Sequence, residues 1–120
     1  MRLPPALRMK AAGDFARVRA QGASFPGRFV VLSVLRDAQA MPFRFGLVTS
    51  KKVGGAVVRN RIRRRLRQVI QEEQMQLAEG LLLVIIARWR APEATVADLC
   101  QDFLRTARRA GILNPRPPPT

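Results

Sequence analysis

The sequence predicts an α+β sandwich in which helices pack on one small mixed sheet. Three features predict it. Two short runs dominated by β-branched and aliphatic side chains, "RFVVLSVLR" (28–36) and "FRFGLVTS" (43–50), read as strands. A long segment from Ala56 repeats its apolar residues at helical spacing. "LLLVIIA" (81–87) then follows with no polar alternation, the pattern of a strand covered on both faces.

The elements follow in order. Residues 1–7 carry two prolines and read as an irregular arm. "AAGDFARVRAQG" is a short helix closed by Gly22, with Phe15 and Val18 one turn apart and facing the same neighbour. In 28–36, Phe29, Val31, Ser33 and Leu35 fall on one face, and Val30, Leu32 and Val34 on the other. In 43–50, Phe43, Phe45 and Leu47 alternate with Arg44 and Gly46. A short loop joins these two strands, which most simply pair antiparallel. "KKVGG" turns into the long helix, expected to run to about Glu79 with Gly80 as its stop. After the buried strand, Thr95 and Asp98 have the spacing of a capping pair. Val96, Leu99, Cys100, Phe103, Leu104 and Ala107 repeat at helical spacing until Gly111. The expected organisation is one domain over residues 8–111, with a flexible proline-rich tail at 112–120.

Charge narrows the function. There are 22 Lys and Arg against 8 Asp and Glu, and only three of the cations are lysines, so the net +14 is almost all guanidinium. Arginine presents a planar fork that matches phosphate oxygens and stacks on bases, which points to nucleic acid ahead of an anionic membrane. With no histidine and one cysteine, the chain lacks the commonest general base, an internal disulfide and an ordinary zinc site. The sequence starts without the apolar run of a secretory signal, and the longest apolar stretch is too short to span a bilayer. A soluble, cytoplasmic chain is expected.

"AVVRNRIRRRLRQVI" (56–70) concentrates the charge, with six arginines between positions 59 and 67. At 100° per residue, Val58, Ile62, Leu66, Val69 and Ile70 gather on one side. Asn60, Arg61, Arg64, Arg65, Arg67 and Gln68 spread over the opposite side, with Arg59 and Arg63 at the border. No acid lies between Asp37 and Glu72, so i,i+4 ion pairs cannot offset repulsion within the strip. Cations near the helix start also oppose its dipole. These repeated local costs favour a binding strip over a merely solvated face. A membrane-surface helix would want aromatic anchors that the apolar side lacks, and a nuclear localisation signal would sit in an accessible segment rather than a core-anchored helix.

The stretch "RFGLVTSKKVGGAVVRNRIRRRLRQVI" resembles the signature of the bacterial ribonuclease P protein subunit. Arg44, Gly46, Leu47, Ser50, Lys51, Lys52, Gly54, Ala56, Val57, Arg59, Asn60, Arg61, Ile62 and Arg64 fall in step with it. Gly55 stands where many members carry asparagine, and Arg63 where many carry lysine. "RMKAAGDFARVRAQG" is similar to the family's first helix and "LLLVIIAR" to its buried strand, so the likeness covers roughly residues 8–110. The resemblance implies an α-β-β-β-α-β-α fold akin to the second domain of ribosomal protein S5, with an additional strand near "ASFPG" or early in 28–36. It also implies a left-handed β-α-β crossover, where general rules would predict a right-handed one.

The resemblance further implies a noncatalytic subunit of the endoribonuclease that removes the 5′ leader of precursor tRNA. The partners are the catalytic RNA and precursor tRNA, with no membrane and no obligate protein partner. The RNA holds the catalytic Mg2+, and the protein alone holds no metal or cofactor and has no catalytic residue. The RNA-binding residues it implies are Lys51, Lys52, Arg59, Asn60, Arg61, Arg63, Arg64, Arg65, Arg67 and Gln68. The leader cleft it implies is Phe15, Arg19, Phe29, Val31 and Ser33, where Arg19 and Ser33 replace family aromatics and Phe29 shares the strand face of Ser33. Trp89 stacks on RNA or covers the edge of the core; the residues leave both readings open. The competing class is a structural RNA-binding protein such as a ribosomal component. A self-sufficient nuclease would need clustered acids, and Asp14, Asp37, Glu93, Asp98 and Asp102 form no such motif.

Overall fold

The computed structural model describes residues 8–9 and 12–114. In chain order the elements are α1 (Ala12–Gln21), β1 (Ala23–Pro26), β2 (Val30–Arg36), β3 (Phe43–Val48), α2 (Ala56–Glu73), β4 (Leu81–Ala87) and α3 (Val96–Ala110). The additional strand lies at "ASFP", the first of the two expected places. The predicted arm at 1–7 lies outside the described residues, as does the tail beyond Asn114.

The apolar run 81–87 decides the topology. The four strands are ordered β1-β2-β4-β3, so β4 occupies an inner position. It pairs antiparallel with β2, from Val30↔Ala87 to Arg36↔Leu81, and parallel with β3, from Phe43↔Leu81 to Val48↔Ile86. β2 and β3 therefore do not form the expected hairpin. The most apolar strand takes the place between them, where both of its faces leave water. Leu81, Leu83, Ile85 and Ala87 join the main core beneath α2 and α3. Leu82 and Val84 join a second cluster with Met9, Val18 and Ala40, against which Phe15 of α1 packs.

On α2, Ile62, Leu66, Val69 and Ile70 are buried against the sheet, as the helical wheel requires. The helix ends at Glu73 rather than Glu79 and passes through a 3-10 turn at Gln74–Gln76. Residues that follow α3 claim the backbone beyond it. The N–H of Ala78 donates to Ile112 O at 2.7 Å, and that of Asn114 to Gln76 O at 2.7 Å. Ile112 is wholly buried, so the folded body continues to Asn114 and the tail does not begin at 112. Gly80 lies in the turn into β4, its N–H on Pro42 O.

α3 opens with a capping box in which Thr95 and Asp98 exchange side-chain and backbone hydrogen bonds, and closes at Gly111, whose φ of 72° suits a residue without Cβ. Its most consequential residue is Asp102, a carboxylate only 3% exposed. Asp102 accepts the N–H groups of Arg28 and Phe29 at 2.8 Å each and of Val30 at 3.1 Å, which fixes the turn from β1 into β2. That turn bends Phe29 out of strand alternation and into the main core.

Asp102→Ala leaves three largely buried N–H groups without their acceptor and is expected to cost about 3 kcal/mol of stability. Urea unfolding checks this, and a loss below about 1 kcal/mol would show that the turn holds without the carboxylate.

Candidate nucleic-acid interface

Anchoring of one side of α2 leaves its cations on three surfaces. Asn60, Arg64 and Gln68 are exposed along the crest. Arg59, Arg63 and Arg67 form an i,i+4 row on the flank toward α1. Arg61 and Arg65 take the other flank, where Arg65 Nη1 donates to Ala94 O at 2.8 Å. Lys51 and Lys52 are exposed on the 3-10 turn before the helix, which Ser50 caps.

The strip is not neutralised from within. Among the described residues, the ion pairs join Arg17 to Asp14 and Asp37, Arg44 to Asp14, and Arg90 to Glu93; none involves an arginine of α2. Asn60 Oδ1 accepts from Arg63 Nη1 at 3.2 Å, so Asn60 braces its neighbour. Gln68 donates to Glu72 at 3.2 Å. The Nε atoms of Arg59, Arg61 and Arg67 are shielded and donate to no protein acceptor. Burial, then the charges of Arg8 and Arg63, holds the pKa of Arg67 below its ordinary value. A cation crowded by two others is a place where an anion is favoured.

Arg63, Arg67 and Arg8 line a cavity of about 170 Å3 together with Phe15, Phe45 and Gly46. A second cavity, of about 220 Å3, lies between α1 and the sheet. Phe15, Val18 and Arg19 come from α1, Ser24 and Ser33 from β1 and β2, and Val48, Val84 and Ile86 from β3 and β4. Ser24 and Ser33 share a hydrogen bond of 2.8 Å across its floor. Phe15 lines both cavities, so the arginine row and the apolar cleft meet at one ring.

Gly46 makes that position possible. A Cβ at residue 46 would lie 2.6 Å from Cε1 of Phe15. Here glycine is required by close approach rather than by its backbone angles.

Of the residues expected in the cleft, Phe15, Arg19 and Ser33 are brought together. Val31 sits opposite Ile86 in the ladder, at the edge of this group. Phe29 is in the main core instead, with Arg28 lying 5.4 Å from its ring centroid. Val84 and Ile86, read as plain core, supply part of the floor. Arg8, the first residue of the expected domain, had only its charge to signal it. Burial, with Glu73 close to its Sγ, pushes the Cys100 thiol up to about 11, so it keeps its proton near neutral pH. No group of three or more Cys, Asp or Glu side chains that could hold a metal ion occurs among the described residues.

The family model for Ribonuclease P matches residues 3–111. The ribonuclease P protein component of Gluconacetobacter diazotrophicus is 40% identical over 106 residues, covering 88% of this chain and 91% of the relative. That of Thermus scotoductus is 42% identical over 115 residues, covering 92% and 67%. The RNase P protein of Staphylococcus aureus superposes with a TM-score of 0.81 at 28% identity, over 90% of this chain and 98% of that one. The protein of Thermotoga maritima, at 22% identity, shares the fold with a TM-score of 0.75 over 85% and 96% of the two chains.

Gly46→Ala is expected to leave the chain folded but to drive Phe15 from its place, at about 1–3 kcal/mol of overpacking cost. Large changes in the Phe15 ring-proton shifts, with the helical signal retained, check this; unchanged shifts would contradict it.

Proposed function

This chain belongs to the ribonuclease P protein family, and from that membership we propose how its surface divides the work between two RNAs. It is a noncatalytic protein subunit of ribonuclease P, the endoribonuclease that matures the 5′ end of tRNA. In our reading, the exposed and outer cations of α2, with Lys51 and Lys52, grip the catalytic RNA. The cleft at Phe15 holds the single-stranded leader of precursor tRNA. Mg2+ acts on the RNA side, and the complex works in the cytoplasm.

The observation that carries this reading is the double role of Phe15, shared by the arginine-lined cavity and the cleft. An RNA seated on α2 and a strand lying in the cleft would be held within one ring's width of each other. The protein then acts by positioning. It neutralises phosphates that would otherwise repel, and it orders a flexible strand before the RNA cuts it. Arg19 and Ser33, standing where family aromatics are found, shift the cleft toward polar contact. Arg19 can still stack on a base and pair with a phosphate.

Reconstitution tests the reading. The purified protein alone is expected to cleave nothing, and to restore precursor cleavage when added to its catalytic RNA at low magnesium; absence of enhancement would overturn the assignment. Arg61→Ala and Arg64→Ala are each expected to weaken binding to the catalytic RNA and to flatten the salt dependence by about one unit of log–log slope. Phe15→Ala is expected to lower affinity for leader-bearing precursor by roughly tenfold while sparing mature tRNA. Equal losses on both substrates would exclude a cleft role for Phe15.

A further inference from the structure

β4 carries the cleft floor at Val84 and Ile86 and then leaves the sheet into a second basic surface. Arg88 still pairs with the β2 side, its N–H on Phe29 O at 2.9 Å and its Nη1 on Gly27 O at 2.7 Å. Trp89 follows and is 63% exposed, which removes the core-covering reading that the sequence left open. The Arg90 guanidinium lies 5.8 Å from the Trp89 ring centroid. Arg28 is exposed beside Arg88 on the facing turn. Two acids lie near this group: Glu93 reaches Arg90 at only 3.9 Å, and Asp102 is occupied by three backbone N–H groups.

We propose that Arg28, Arg88, Trp89 and Arg90 form a distal subsite for the leader, where Trp89 stacks on a nucleobase beyond the Phe15 cleft. This rests on the reading of the cleft as the leader site. An exposed indole costs solvation and contributes nothing to the core, whereas a base has a flat face for it to cover. Arg90 beside the ring, with Arg28 and Arg88 on the adjoining turn, offers guanidinium groups for the phosphates that flank such a base. Position favours the leader over the catalytic RNA. The patch begins at Arg88, about 7 Å beyond Ile86 at about 3.3 Å per residue, just past the end of the strand that floors the cleft. A single strand leaving the cleft along β4 arrives there first.

Trp89 is the only tryptophan and the chain has no tyrosine, so intrinsic fluorescence of the reconstituted holoenzyme reports on this ring alone. Precursors whose leaders are lengthened one nucleotide at a time are expected to leave the emission unchanged until a threshold length, and to quench it beyond. Mature tRNA should give no change. Trp89→Ala is expected to weaken binding of long-leader precursors by roughly five- to tenfold and of short-leader ones not at all, with Trp89→Phe recovering part of the loss. Quenching completed by the catalytic RNA before any precursor is added would overturn the proposal by assigning the patch to that RNA. Emission indifferent to every RNA would overturn it as well. Phe15→Ala measured alongside separates the two claims. If it alone erases leader preference, only the distal subsite fails; if neither variant affects leader preference, the cleft reading fails too.

Discussion

The structure depends on the burial of one face of α2 against β4. Ile62, Leu66, Val69 and Ile70 meet a sheet whose inner strand presents Leu81, Leu83 and Ile85. Each of the four helix side chains contributes about 1.5–3 kcal/mol on leaving water. Like-charge neighbours on an exposed helix cost only about 0.2–0.5 kcal/mol a pair, and the opposed dipole a similar amount. Burial therefore exceeds repulsion by a wide margin. The helix can carry a row of arginines that its own sequence would not support, and the unspent charge stays on the surface for a polyanion.

The same strand builds the other half of the site. Its odd-numbered residues close the main core, while Leu82, Val84 and Ile86 turn toward α1. The cleft is thus the second face of the strand that anchors the arginine helix. The Phe15 ring occupies the junction because residue 46 has no side chain to exclude it. Asp102 reaches the sheet from the far side, and by fixing the turn at 28–30 it sets where β2 begins. Core, cleft and cationic ridge are consequences of one packing arrangement.

Local pattern made much of this legible. Periods of two and 3.6 residues located the strands and helices, the Thr95–Asp98 spacing gave the cap, and the helical wheel separated the buried side of α2 from its arginines. What the sequence hid was non-local. The insertion of β4 between β2 and β3 depends on which strand gains most from double burial, a comparison that no single segment contains. The early end of α2 and the extension of the fold to Asn114 share a cause, since residues 112–114 take the backbone groups of 76–78. Phe29 left its predicted face because a carboxylate more than seventy residues away bends the chain beneath it. Arg8 and Ile86 carried no signal beyond a charge and an apolar side chain until the two cavities assembled around Phe15.

The division of the surface between two RNAs is the central claim, and crosslinking tests it most directly. With Cys100 replaced by serine, a photoreactive group on Arg64→Cys samples the crest of α2, and one on Ser24→Cys samples the cleft. In the reconstituted complex the crest is predicted to crosslink to the catalytic RNA and the cleft to the precursor leader. Crosslinks from both positions to the same RNA would contradict the account.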